Sequence, residues 1–385
     1  MWSLVPCRNS ERIRPRAVRK KHMYRTAPVR IGAFGAFVLA GALVLTGCSS
    51  DTPEDSAAAA DAAKPAPGLL PAAEGSTSYP LELESPWGST TLEERPERIA
   101  AITPSQDDVE ALVAIGVTPI LVSEDQTDVW VQRELDQEIE GRFSVTDGGF
   151  NVEQIAAADP DLIVVLGADV SADYDKLAAI APVLSTATTS EGESSVANDW
   201  ATSITALGEA LDLSEAADRA LETEEEFFAD FRAEHPEFDG KTASYVVYYG
   251  AESGLQYHST PDSPAGLTLS RMGFEPSDNA SELEYRAVIS NEMLSAIDAD
   301  VVIFSDNSDG HHADLTDSAL FQALSAVKND ALVIVENHSV DGYFVIDGTE
   351  YDGNLSWGLA RSGPLSSTWA AEQMAPALAD VLGAE

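Results

Sequence analysis

Two cysteines, Cys7 and Cys48, are all the thiol chemistry that 385 residues offer. They cannot build the disulfide framework on which small secreted domains rely. Basic residues are scarce as well: 22 Lys+Arg stand against 65 Asp+Glu. Nine of those bases and one of the acids fall in the first 47 residues, which leaves 13 bases against 64 acids in the remainder. Phosphate binding needs clustered Lys/Arg, so this balance argues against nucleic acid as a partner and against adhesion to anionic lipid. The acidity reads as a heavily solvated surface, with adaptation to high salt as the sharper alternative. Catalytic signatures are missing too. There is no Gly-x-Ser-x-Gly, His-Glu-x-x-His, P-loop or Gly-x-Gly-x-x-Gly. Acidic pairs occur throughout, so a glycosidase-like carboxylate pair is the enzyme chemistry that the sequence leaves open.

The apolar run at residues 31–45 is too short to span a bilayer comfortably. Arg25 and Arg30 precede it, and Leu45-Thr46-Gly47-Cys48 ends it. This is the layout of a targeting segment, for which Met23 is a better start than Met1. Leu-x-Gly-Cys after such a run resembles the lipobox of bacterial lipoproteins. The resemblance implies cleavage before Cys48, lipidation of its thiol, and attachment to the outer face of the cell membrane. Residues 48–78 are rich in Ala, Asp, Pro, Ser and Thr and are expected to form a disordered tether.

What remains is patterned. Residues 79–92 alternate around Gly88 as a short hairpin would. Strands are then expected at 99–103, 118–122, 162–166 and 183–184, with helices at 107–115, 152–157, 174–180 and 196–211. This βαβ alternation predicts a mainly parallel sheet whose ligand loops lie beyond the strand ends, at 104–106, 124–130, 147–150 and 167–174. Residues 214–235 lack Gly and Pro and stop at Pro236. Ser214 is a candidate cap, and Ala217, Leu221, Phe228 and Phe231 share one face of the predicted helix. Strands at 243–249, 255–257, 301–304 and 331–335 then alternate with helices at 265–272, 291–297, 320–326 and 364–382. Loops fall at 257–261, 284–289, 306–314 and 337–361. The expected fold class is α/β: two Rossmann-like lobes, 79–212 and 237–385, joined by a single long helix, 213–236.

Two phrases recur, one per lobe. The first is Asn151-Val-Glu153-Gln-Ile155-Ala-Ala-Ala-Asp-Pro160-Asp161-Leu-Ile-Val, and the second Ser290-Asn-Glu292-Met-Leu-Ser-Ala-Ile297-Asp-Ala-Asp300-Val-Val-Ile. Each is a glutamate opening a short helix, then an acidic turn, then a buried strand. Together with Glu97-Arg98-Ile99, Ala114-Ile-Gly116-Val-Thr-Pro119, Ala181-Pro182, Ala326-Val-Lys-Asn329 and Gly363-Pro364-Leu365-Ser366, they resemble the cluster-III substrate-binding proteins of ABC importers, the ferric-siderophore branch above all. The resemblance runs from about Tyr79 to the C-terminus. It implies a lipoprotein that catalyses nothing and hands a ferric siderophore to an ABC permease, whose ATPase supplies the energy. Iron would travel within the siderophore, and no cofactor is expected.

The same resemblance implies that Glu153 and Glu292 dock onto arginines of the permease, the alternative being carboxylates that interact only with their own helix dipoles. The implied cleft residues lie just before those glutamates and before the closing helix. Arg286, with Tyr285 beside it, stands where cobalamin-binding relatives carry tryptophan, and the equivalent place in the first lobe is Asp147; cobalamin is therefore disfavoured. Arg361 and Trp357 precede Pro364. Arginine pairs bidentately with carboxylate or catecholate oxygen, and aromatics pack on flat chelates. Gln106 lies in the first strand-end loop. Trp130, Tyr174 and Tyr257 are further aromatic candidates, each with core packing as the alternative. Arg271 reads as a surface residue of its helix. A haem or zinc/manganese receptor is the rival reading. It would draw on His235, His258, His311, His312 and His338, none of which lies in the first lobe; the pair His311-His312 reads more simply as a solvated loop.

Overall fold

The computed structural model describes residues 69–383 except 124–127, 136, 140, 147–148, 167, 187–199 and 362. The targeting segment, Cys48, the tether up to residue 68, Asp147 and the start of the helix expected from 196 lie outside the described residues. Among the described residues no helix is long and apolar enough to cross a membrane.

Strands β1 (Leu81–Ser85) and β2 (Gly88–Leu92) form the expected hairpin, with Ser85 opposite Gly88. The first lobe then follows as β3 (Ile99–Ala101), α1 (Asp107–Ala114), β4 (Leu121–Ser123), α2 (Val129–Glu134), β5 (Gly141–Phe143), α3 (Val152–Ala157), β6 (Leu162–Val164), β7 (Val183–Leu184) and α4 (Trp200–Leu211). Its five strands are all parallel, in the order β5-β4-β3-β6-β7. β3, β4 and β6 are buried at every position, as strands covered on both faces must be.

The linking helix α5 spans Ser214–Glu234. Ala217, Phe228 and Phe231 are buried and Leu221 is half-buried, so the predicted stripe does face the core. Its start is held differently from the expectation. Ser214 does not cap it; the Glu74 carboxylate accepts from the amides of Glu215 at 2.6 Å and Ala216 at 3.0 Å. Asp212 likewise accepts from the amides of Gly75, Ser76 and Thr77, and the Thr118 amide donates to the Leu69 carbonyl at 2.8 Å. Residues 69–78 are thus laid along the first lobe. The expected tether ends ten residues too late because composition hides a segment held by backbone amides.

The second lobe comprises β8 (Thr242–Tyr248), β9 (Leu255–Tyr257), α6 (Pro264–Arg271), β10 (Val288–Ile289), β11 (Val301–Asp306), β12 (Leu332–His338), β13 (Tyr343–Ile346), β14 (Thr349–Asp352), α7 (Leu355–Arg361) and α8 (Pro364–Leu382). Its sheet order is β10-β9-β8-β11-β12-β13-β14, with Glu275–Pro276 added beside β8. Only the centre is parallel; β9, β10, β13 and β14 pair antiparallel. The hairpin of β13 and β14 occupies part of what the sequence reading took as a loop, 337–361. It turns on Asp347 and Gly348 at φ 49° and 75°, the left-handed pair that a tight hairpin requires.

The closing helix α8 ties the lobes together. Its Trp369 ring lies 4.8 Å from Trp130 of α2 and 5.9 Å from Phe344 of β13. Gly358 of α7 is needed for this approach, since a Cβ there would sit 2.6 Å from Trp369. Arg271 is not a free surface residue: its Nη1 pairs with the buried Glu224 of α5 at 2.6 Å, and Glu224 also accepts from Ser367 of α8 at 2.6 Å.

Candidate functional site

A half-open cleft of about 370 Å³ is walled by the loops of both lobes. The first lobe supplies Ser105 and Gln106 from the turn after β3, and Asp128 and Trp130 from the start of α2. The second lobe supplies Asn354, Trp357 and Arg361. Gln106 adopts φ 61° and its Nε2 donates to Ser123 Oγ at 3.1 Å, which fixes the turn.

The second wall rests on a polar floor. Asn337 Nδ2 donates to Ser305 Oγ at 2.7 Å and to Asn307 Oδ1 at 2.9 Å, while its Oδ1 accepts from the Leu355 amide at 3.2 Å. The Tyr245 hydroxyl reaches Ser356 Oγ at 3.1 Å, and burial pushes that phenol well above its ordinary range. The Asn354 Oδ1 accepts from the Trp357 amide at 3.1 Å. α7 is thereby fixed with the Trp357 ring standing 51% exposed in the cleft. Trp130 also belongs to the wall but is 2% exposed, with its Nε1 donated to Glu110 at 3.2 Å; it shapes the cleft and offers little face to a ligand.

Arg361 is not the free anion anchor that the sequence suggested. Its Nη2 lies 3.0 Å from Asp128 and its Nη1 3.5 Å from Asp107, and its guanidinium stacks 5.6 Å from the Trp357 ring centre. Two first-lobe carboxylates surround one second-lobe cation. Behind them Glu110 is fully buried and accepts from the amides of Leu365 at 3.0 Å and Ser366 at 2.8 Å, at the N-terminus of α8. Burial raises its pKa to about 7, against the opposing pull of Ser366 and Arg361. Asp108, which accepts from the Thr103 amide at 2.7 Å, is raised to about 7 by the same cause.

Four of the expected ligand residues, Gln106, Trp130, Trp357 and Arg361, therefore meet in one cleft. Tyr285 and Arg286 do not join its wall. They form a cluster with His258, whose ring lies 5.4 Å from Tyr285; Arg286 sits at φ 62°, exposed, over the Tyr285 ring. Burial, helped by the Arg286 charge, pushes the His258 pKa down to about 4, so that imidazole is neutral near pH 7. Tyr257 and Tyr174 are core residues. The inward face of β9 buries Tyr257 completely, with its hydroxyl 3.2 Å from the Ser259 carbonyl; Tyr174 is 5% exposed and packs against Trp87 and Gly88. Asp128 and Asn354 escaped the sequence reading; nothing local sets them apart from other loop acids and amides. Of the paired histidines, His312 Nδ1 lies 2.7 Å from the buried Asp306, which closes that loop. Glu153 and Glu292 are exposed, each in the first turn of its short helix, α3 and the 3₁₀ segment Asn291–Ile297.

Comparison with known proteins gives the same picture of the fold. The chain is 27% identical over 257 residues to the probable siderophore-binding lipoprotein YfiY of Bacillus subtilis, covering 63% of this chain and 75% of that one. It is 25% identical over 246 residues to the Fe(3+)-citrate-binding protein YfmC of the same organism, covering 63% and 74%. The crystal structure of a periplasmic solute binding protein from Mycobacterium smegmatis superposes with a TM-score of 0.62 at 26% identity, over 79% of this chain and 99% of that one. The periplasmic binding protein family profile matches residues 99–337, and with two α/β lobes joined by one helix around a shared cleft, the chain belongs to that family.

Proposed function

We propose that this chain is a lipid-anchored, extracytoplasmic receptor that captures a ferric siderophore between its lobes and delivers it to an ABC permease. The observation that carries the reading is the cleft itself: polar walls from both lobes and one exposed indole, Trp357, in a chain whose relatives are named for siderophore and ferric-citrate binding. Hydroxyls and amides suit the oxygen-rich shell of an iron chelate, and the indole suits its flat organic part. No catalytic step is assigned to the site. Closure should be modest, because Arg361 and Glu110 already hold the first lobe to α7 and α8.

A panel of ferric chelates titrated by tryptophan fluorescence tests this. At least one should bind with a Kd of about 1 μM or tighter, with quenching that shrinks in Trp357→Phe. Binding of haem or zinc, and of no ferric chelate, would overturn the reading.

The anchor has its own test, motivated by Leu45-Thr46-Gly47-Cys48 after an apolar run. Cys48→Ala should release the protein from membranes into the medium and leave chelate binding unchanged. Stable attachment needs more than one acyl chain, so loss of the acylated thiol removes it. A mutant that still sediments with membranes, or a mature protein without a lipid adduct, rules out the anchor.

A further inference from the structure

We propose that the cleft selects neutral or cationic ferric complexes, of which trishydroxamates are the chemical type, and disfavours carboxylate and catecholate chelates. The inference rests on the siderophore reading above and narrows it.

Arg361 is the cation in the cleft wall. Asp128 at 3.0 Å and Asp107 at 3.5 Å already surround its guanidinium. Its side chain is 9% exposed, and its Nε and Nη1 are sealed from solvent. An anionic ligand would have to displace one of these carboxylates from the guanidinium, and then sit beside it. The charge of the three groups together is negative, and Asp128 is itself part of the wall. The remaining polar side chains of the wall, Ser105, Gln106, Ser339 and Asn354, are uncharged and suit hydroxamate oxygens and amides. The far field acts in the same direction, since 65 acids against 22 bases repel an approaching anion and attract a cation. Arg286 is the counterweight. It has no acidic partner among the described residues, but it stands outside this wall, over Tyr285. The relative named for ferric citrate supplies the opposite expectation.

The test is a charge series on the mature full-length protein: a monocationic linear ferric trishydroxamate, a neutral cyclic one, ferric citrate and a trianionic ferric triscatecholate. The trishydroxamates should bind at least about tenfold tighter than either anion, the size of effect that one nearby charge exerts at a partly solvated site. Raising the salt should weaken the cation and leave the neutral complex unchanged. Asp128→Asn should shift the ratio of cation to anion affinity toward the anion by about tenfold; a ratio is unaffected by any general loss of folded protein. Arg286→Ala should leave that ratio unchanged. Tightest binding of citrate or the triscatecholate, or an anion affinity that collapses in Arg286→Ala alone, overturns the charge selection while the siderophore reading stands. If no chelate of any charge binds, both fall together.

Discussion

Glu110→Ala should destabilise the protein by about 3–5 kcal/mol at about pH 5, where the carboxyl is protonated and its loss leaves buried neutral donors unmatched. The side chain sits where α1, α2 and α8 meet. Its Oε1 accepts from the Leu365 and Ser366 amides and its Oε2 from Trp130 Nε1. Gly363 is packed so tightly against it that a Cβ there would lie 2.3 Å from Glu110 Oε1 and 2.4 Å from Trp200. Alanine would leave three buried donors unmatched, at about 1–3 kcal/mol each, partly relieved by water entering the cavity.

The loss should be smaller at about pH 8. Burial raises the folded-state pKa of Glu110 from 4.5 to about 7. A group whose folded pKa is raised contributes stability that is fully present below the unfolded pKa and is lost as pH rises through the folded one. At about 1.4 kcal/mol per pH unit, roughly 3 kcal/mol disappears between about pH 4.5 and pH 7. Asp108 is raised to about 7 in the same way, so wild-type stability should fall across that window. Asp306 acts in the other direction but at lower pH: its pKa is lowered, despite burial, by bonds from Ser308 and His312, so its contribution fails only below the ordinary carboxylate range. Urea unfolding at the two pH values reads all of this. Glu110→Gln keeps the acceptor for α8, opposes a donor to Trp130, and should remove the Glu110 part of the pH dependence. A loss under about 1 kcal/mol at both pH values would show that the contact contributes little net stability.

Local patterns carried the fold well where they were periodic. The stripe of Ala217, Leu221, Phe228 and Phe231 located α5 to within one residue of its end. The two glutamate phrases located α3 and the segment Asn291–Ile297 at both bounds. The β13–β14 hairpin was missed although Asp347-Gly348, flanked by Phe344 and Ile346 on one side and Tyr351 on the other, is a legible turn signal; a long stretch of cleft loop was expected there instead. The site was harder. Sequence gave the residue types at the cleft but not their partners. Arg361 looked like a free cation because its two aspartates lie more than 200 residues away, in α1 and before α2. Glu110 looked like one acid among 65, and only the meeting of α1 with the start of α8 distinguishes it. Tyr257 shows the converse: an aromatic at a strand end has two faces of the sheet to choose from, and its ring turned inward, as did that of Tyr174 at the start of a short helix.

Reversing both glutamates expected to dock onto the permease, Glu153→Lys with Glu292→Lys, should abolish ferric-chelate uptake in cells while leaving chelate affinity within about threefold of wild type, a change below ~1 kcal/mol. Both side chains are exposed in first turns, and neither lines the cleft. The short helices do not depend on them. α3 is capped by Asn151, which accepts from the Gln154 amide at 3.1 Å, and Gln154 in turn receives the Ser144 amide at 2.7 Å. Glu292 is held below the ordinary carboxylate range, chiefly by a bond to its own backbone and then by Ser290. Two fixed negative charges, one per lobe, would let the permease sense both lobes at once. Their reversal turns two attractions into two repulsions, and charge reversal at an interface acts on the encounter rate as well as on the bound state. Each single reversal should therefore reduce uptake without abolishing it. Arginine-to-glutamate changes on the permease should restore transport to the double mutant. Transport at the wild-type rate by the double mutant, with the protein present at normal levels, would remove Glu153 and Glu292 from the docking surface.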